Sequence, residues 1–183
     1  YRALRWFATT IATRPPLMRA GLALARAFAP ITKVLPGRFG HLARMGAAMN
    51  IPHPEERSVP KDEATRVALM PGCAQSALAP NIDEAAARVL ARRGIAAVPL
   101  AGAGCCGALP YHLGSTDAAK TWAKRAICAF EREDAKQSFA AILITATGCA
   151  AHLKDYANLF ADEPEWQSRA AAFAAKVRDF SEL

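Results

Sequence analysis

From Val67 onward the chain alternates short apolar runs with amphipathic helical patterns, and that alternation confines it to few folds. Val67-Ala68-Leu69-Met70, Ile95 to Val98 and Ala141 to Thr145 have the length of buried strands, and each is followed within a few residues by a glycine. Between them run helical stripes, first Ile82, Ala85, Ala86, Val89 and Leu90 with Gly94 beyond, then Ala119, Trp122, Ala123, Ala126, Ile127 and Phe130. Strands separated by a whole helix rather than a tight turn run parallel. The expectation is an α/β fold, a small parallel sheet with flanking helices. Asn81 with Glu84 resembles a capping box, and Ser115-Thr116-Asp117 offers a helix cap. Thr147-Gly148-Cys149 leads into a helix through about Phe160, and Trp166, Ala170, Phe173, Ala174 and Val177 mark a closing helix.

The part before this unit has a different character. Residues 1–54 hold eight Lys or Arg and no acid, so they carry +8 against a total of +7, and the remainder is close to neutral at −1. Leu4, Phe7, Ala8 and Ile11, then Met18, Gly21, Leu22, Ala25 and Ala29, repeat at helical spacing on either side of Pro15-Pro16. Residues 1–35 read as a basic helical arm, 36–65 as a Pro/Gly-rich linker, and 66–183 as the α/β domain. Such an arm suits an acidic protein partner or an anionic surface. Without aromatic–basic interleaving or a recognised motif, no nucleic acid is expected. No apolar run reaches membrane-spanning length, and the start at Tyr1 without a signal-peptide pattern reads as a piece of a longer chain. Five cysteines, two of them adjacent, fit a metal or redox site in a reducing, cytoplasmic compartment better than a disulfide framework.

The cysteines fall where the expected strands end. Cys73 follows the first, Cys105-Cys106 the second and Cys149 the third. A parallel sheet delivers its strand C-termini to one edge, where open α/β folds bind ligands. Gly72, Gly104, Gly107 and Gly148 flank these cysteines, and a helix start beside Cys73 or Cys149 favours thiolate over thiol. Cys128 lies inside a helical pattern, at the border of its apolar stripe, and reads as structural. His152, three residues after Cys149, could join the site as an optional ligand, with Tyr111 and His112 lining it or only its rim. The carboxylates show no paired acid–base spacing. At this level an iron–sulfur cluster, a structural or regulatory zinc ion held tetrahedrally by Cys73, one or both of Cys105 and Cys106, Cys149 and optionally His152, and a metal-free thiol-redox or interaction domain all remain open.

The spacing Gly72-Cys73, Gly104-Cys105-Cys106-Gly107 and Gly148-Cys149 resembles the cysteine-rich CCG domain shared by heterodisulfide reductases and the iron–sulfur subunits of flavin-linked 2-hydroxy acid oxidases. Pro71-Gly72-Cys73-Ala74-Gln75, the S-A-L-A-P-N of residues 76–81 and the G-A-G-C-C-G-A-L of residues 102–109 are similar to the glycolate oxidase iron–sulfur subunits. The resemblance covers roughly residues 67–160. It implies that Cys73, Cys105, Cys106 and Cys149 are ligands of a cluster of [4Fe-4S] type. It implies partner flavin subunits that oxidise glycolate to glyoxylate, and electron transfer toward quinone at the inner face of the membrane. It also implies a longer parent protein, of which this chain holds the first CCG domain only. Where the fullest family pattern has Cys-x-x-Cys, this chain has Cys149-Ala150-Ala151-His152.

Overall fold

The computed structural model describes Trp6, residues 9–27 and residues 65–183. The linker expected at 36–65 lies almost wholly outside the described residues, as does most of the first arm helix. The described part of the arm turns at 11–13 and then forms α1, Pro15–Ala27. Its two prolines sit in the first turn, where a backbone N–H has no intrahelical acceptor to lose, and the turn at 11–13 sets this helix off from the helical residues 9 and 10 before it.

The α/β unit follows in the order β1 (Thr65–Leu69), α2 (Gln75–Leu78), α3 (Asn81–Ala91), β2 (Ile95–Pro99), α4 (Ala108–His112), α5 (Thr116–Gln137), β3 (Ala141–Ile144), α6 (Thr147–Lys154), α7 (Tyr156–Leu159), α8 (Pro164–Lys176), β4 (Val177–Asp179) and a closing 3-10 turn. All pairings are parallel and the strand order is β2-β1-β3-β4. The three expected strands are present within one residue of their expected ends, apart from an earlier start of β1. A fourth, β4, pairs Val177 with Ile142, so Val177 begins a strand instead of closing the helical stripe. Three residues are too few to show a period of their own.

Side-chain alternation assigns the sheet two buried faces. Ala68, Met70, Ile142 and Ile144 pack with α5 to α8, around Ile127, Phe130, Leu153, Tyr156, Phe160 and Phe173. Val67, Leu69, Ala141 and Leu143 pack with Leu90 of α3 on the other. Covered on both sides, β3 has no exposed residue, which is why it reads as an unbroken apolar run. With α3 on one face and α5 on the opposite one, the chain leaves β1 toward β2 and crosses back over it to β3. The strand order therefore reverses between β1 and β3, and the crevice beyond their C-terminal ends is where sheets of this type bind ligands.

Three local expectations are corrected. Pro80, with φ −61° and ψ −25°, is already helical, so α3 starts with Asn81 inside its first turn and neither Asn81 nor Pro80 makes a side-chain cap. Ser115 occupies the cap of α5 but supplies its carbonyl, not its hydroxyl, to Ala119 N–H. The helix expected through Phe160 breaks at Asp155, where the Asp155 carboxylate accepts from the Asn158 amide and the chain restarts as α7. That restart delivers Tyr156 to the core.

Among the described residues, none of the arm belongs to either core cluster, and no helix is long and apolar enough to cross a membrane. The arm's α1 lies against α2, with Arg19 Nη2 donating to Ser76 O at 2.6 Å. Deleting residues 1–30 is expected to lower the melting temperature by only a few degrees and keep the transition cooperative, as circular dichroism would read. Loss of the transition would make the arm part of the core.

Candidate functional site

Each of the four strand-end cysteines is positioned by a different local device. After β1, Ser76 N–H bonds to Gly72 O and Ser76 Oγ donates to Cys73 O, closing a turn around Cys73. A Cβ on Gly72 would come 3.2 Å from Gln75 Cβ and 3.7 Å from Ala146 Cβ, so the loops after β1 and β3 run side by side here. After β3, Ala146 caps α6, and Cys149 sits in its first turn, its N–H donating to Ala146 O. Gly148 faces open space, so its smallness is not required by packing.

The loop after β2 is the most tightly held. Arg125 Nε donates to Gly102 O at 2.7 Å, and Arg132 Nη2 to Ala101 O at 3.0 Å, two clamps from α5. Gly104 (φ +76°) and Gly107 (φ +85°) bracket the vicinal pair in the left-handed conformation. A Cβ on Gly104 would lie 2.6 Å from the Trp122 ring, and one on Gly107 3.0 Å from Ala119 O. The wholly buried Tyr156 hydroxyl donates to Cys106 O at 2.6 Å while its ring stacks on Phe173. Tyr156→Phe keeps that stacking but strands a buried carbonyl, so it is expected to cost about 1–3 kcal/mol in a urea melt. No change in the melt would show that the bond holds nothing.

These devices gather all four sulfurs into two contacts. Cys73 Sγ lies 3.4 Å from Cys105 Sγ, and Cys106 Sγ lies 3.1 Å from Cys149 Sγ. Cys105 and Cys106 are buried, Cys73 and Cys149 half-buried. Gly107 N–H points at Cys105 Sγ from 3.3 Å. The four titrate as one set. Hydrogen bonds from Cys105 and then Cys149 hold Cys106 down to about 3, and Cys105 likewise lowers Cys73. Cys105 and Cys149 are pushed up because their protons serve the Cys106 sulfur and because they are buried. The protein therefore presents thiolates and thiols sharing protons, drawn closer than the about 3.8 Å between thiolates around a tetrahedral ion with bonds of about 2.3 Å. Consistent with this contraction, among the described residues no three Cys, His, Asp or Glu side chains already surround a single point as ligands of one ion do.

His152 stands beside this cluster. Its Nε2 is buried without a hydrogen-bond partner, and burial lowers its pKa against the opposing pull of the Cys106 thiolate. The ring contacts Tyr111 (5.2 Å between centroids), His112 (6.3 Å) and Tyr156 (5.5 Å, edge-on). Tyr111 and His112 are exposed, so they form the rim. Cys128 is apart from the site as expected, yet it is exposed rather than packed. Ala126, Ile127, Ala129 and Phe130 take the buried positions of α5, and Cys128 Sγ meets Arg169 Nη2 at 3.3 Å. Four sulfurs with an unpartnered imidazole nitrogen suit a thiophilic centre, iron–sulfur or zinc, and not an oxygen-seeking ion. Sequence reasoning missed Tyr156 and the arginine clamps; the seven-residue spacing of Arg125 and Arg132, one face of α5, was the available signal.

Residues 67–154 match the family model described as a cysteine-rich domain, CCG. The chain is 38% identical over 118 residues to the probable glycolate oxidase iron–sulfur subunit of Bacillus subtilis and 40% identical over 118 residues to the glycolate oxidase iron–sulfur subunit of Escherichia coli, matches that take in 64% of this chain. It spans 26% and 27% of those proteins, about a quarter of their length. Lactate utilization protein A of Exiguobacterium is 32% identical over 117 residues, 64% of this chain and 46% of that protein. No solved structure matches the chain.

Proposed function

We propose, for a chain that belongs through its residues 67–154 to the cysteine-rich CCG domain family, the role of an iron–sulfur electron-transfer unit in a glycolate-oxidising assembly. The observation that carries this reading is the convergence of Cys73, Cys105, Cys106 and Cys149 at the C-terminal edge of the sheet, astride the point where its strand order reverses. The names of the relatives supply the substrate. Flavin-containing partner subunits oxidise glycolate to glyoxylate, and electrons pass through this chain toward quinone, from the cytoplasmic side of the membrane.

Cys73, Cys105, Cys106 and Cys149, with His152 Nε2 as an optional further donor, would hold a centre of [4Fe-4S] type. Such a centre, when bound, takes up and releases one electron at a time. This chain's residues do the rest. Soft thiolates supply the donors. Gly107 N–H, aimed at Cys105 Sγ, would withdraw electron density from that sulfur and so raise the potential of a bound centre. Tyr156 and the two left-handed glycines fix the vicinal pair, and burial of Cys105 and Cys106 keeps water from one side. The half-buried Cys73 and Cys149 give the site its open side for electron exchange.

Anaerobic reconstitution of the chain with iron and sulfide tests this. The expected product is coloured, bleaches on dithionite reduction and recovers on reoxidation; a colourless, redox-silent protein would count against it. In the same preparation His152→Ala is expected to weaken iron binding about tenfold, and full retention would leave the cysteines as the sole protein ligands.

A further inference from the structure

Behind the thiols lies a second polar cluster that none of the chemistry above uses. Asp83, in the first turn of α3, is 2% exposed. Its Oδ1 accepts from Gln75 Nε2 at 2.8 Å and from Thr145 Oγ1 at 2.6 Å, and Gln75 Nε2 also donates to Thr145 Oγ1. The donors balance: two amide hydrogens from Gln75, one hydroxyl hydrogen from Thr145. Bonds to a carboxylate are the strong kind. Gln75 lies two residues after Cys73, and Thr145 four before Cys149.

The positions matter because the sulfurs stand in two pairs. Cys73 touches Cys105, Cys149 touches Cys106, and the Cys105–Cys106 peptide joins the pairs on one side. On the other side Cys73 and Cys149 follow different strands, Cys73 in the loop after β1 and Cys149 in the first turn of α6, after the loop that leaves β3. Those loops are tied by the Gln75–Thr145–Asp83 triangle and by the close passage of Gly72 against Ala146. The frame thus closes into a ring, with the triangle as the side opposite the vicinal cysteines.

We infer that Asp83, acting through Gln75 and Thr145, is a positioning residue that sets the span between Cys73 and Cys149 and so holds the four-sulfur site open to its inorganic centre. The inference rests on the reading of those cysteines as ligands. Its test uses the full chain, with Asp83→Ala and Thr145→Val as disrupting variants and Thr145→Ser as the conservative one. In reconstituted protein, the rate of iron loss to a chelator is expected to rise about 10- to 100-fold in the disrupting variants, at unchanged far-ultraviolet circular dichroism. Thr145→Ser should restore the parent rate and the parent electron-paramagnetic-resonance line shape. Unchanged rates in folded variants overturn the inference. A second arm needs no cluster: stoichiometric cadmium, a soft ion, is added to the iron-free protein, and the thiols protected from alkylation are identified. The parent is expected to protect Cys73 and Cys149 together, and the disrupting variants to lose one of them. Equal protection in all variants again overturns it. Should the parent take up cadmium but no iron and sulfide, the cluster reading fails while the positioning role stands or falls on the protection pattern alone.

Discussion

Replacing any one of Cys73, Cys105, Cys106 or Cys149 by serine is expected to reduce the iron and acid-labile sulfide held after anaerobic reconstitution to about a tenth of the parent or less. A hydroxyl is a hard donor that keeps its proton where a thiol gives it up, so serine preserves shape and removes the ligand. The four variants should differ in stability. Cys105 and Cys106 are 1% and 4% exposed, and a buried hydroxyl lacking a partner costs about 1–3 kcal/mol. At the half-buried Cys73 and Cys149 water can serve the hydroxyl, and the cost should be smaller. Cys128→Ala is the control: exposed and set against Arg169, it should leave iron and sulfide at the parent level. Parent-level iron in all four serine variants would remove these residues from the site.

The second large effect is on the fold. Gly104→Ala is expected to destabilise the protein by about 2–5 kcal/mol, the sum of about 1–2 kcal/mol for a left-handed alanine and about 1–3 kcal/mol for overpacking. The overpacking is specific, since the new methyl would lie 2.6 Å from the Trp122 ring, itself held beneath Arg125. Against a total of about 5–15 kcal/mol this is a large fraction. The loop that presents Cys105 and Cys106 is rooted in that contact, so the lost stability and the lost site should appear together. Gly104→Ala with a parent-like melting curve would mean that the loop can leave α5 freely. Shrinking Trp122 to leucine in the same chain should recover part of the loss, and no recovery would place the damage in the backbone alone.

What the sequence disclosed follows from the kind of pattern each feature leaves. Three strands and their parallel sense were legible because each apolar run is separated from the next by a complete amphipathic helix. The location of the thiol edge then followed from topology, without any knowledge of distances. The fourth strand was not legible: Val177 to Asp179 is short and continues directly from a helix, and only its pairing with Ile142 to Ile144 makes it a strand. Nor did propensity disclose the break at Asp155, where a side-chain bond within the next turn outweighs an otherwise helical composition. Around the site, adjacent residues left a trace while distant partners left none. The glycines beside Cys105 and Cys106 could be read as room for tight turns. That Trp122 and Ala119 make them necessary, or that Tyr156 grips Cys106 from fifty residues away, depends on contacts that a linear pattern does not encode. Cys128 illustrates the converse, because a position at the border of a helical stripe can turn either way, and here it turns outward.

The most direct test of the central claim is the metal content of the chain after anaerobic reconstitution with iron, sulfide and zinc offered together. If the four sulfurs serve electron transfer, the washed protein will hold iron and acid-labile sulfide in equal amounts, and Cys106→Ser will hold about a tenth of each or less. One zinc per chain with no sulfide, in the parent protein, would contradict the account.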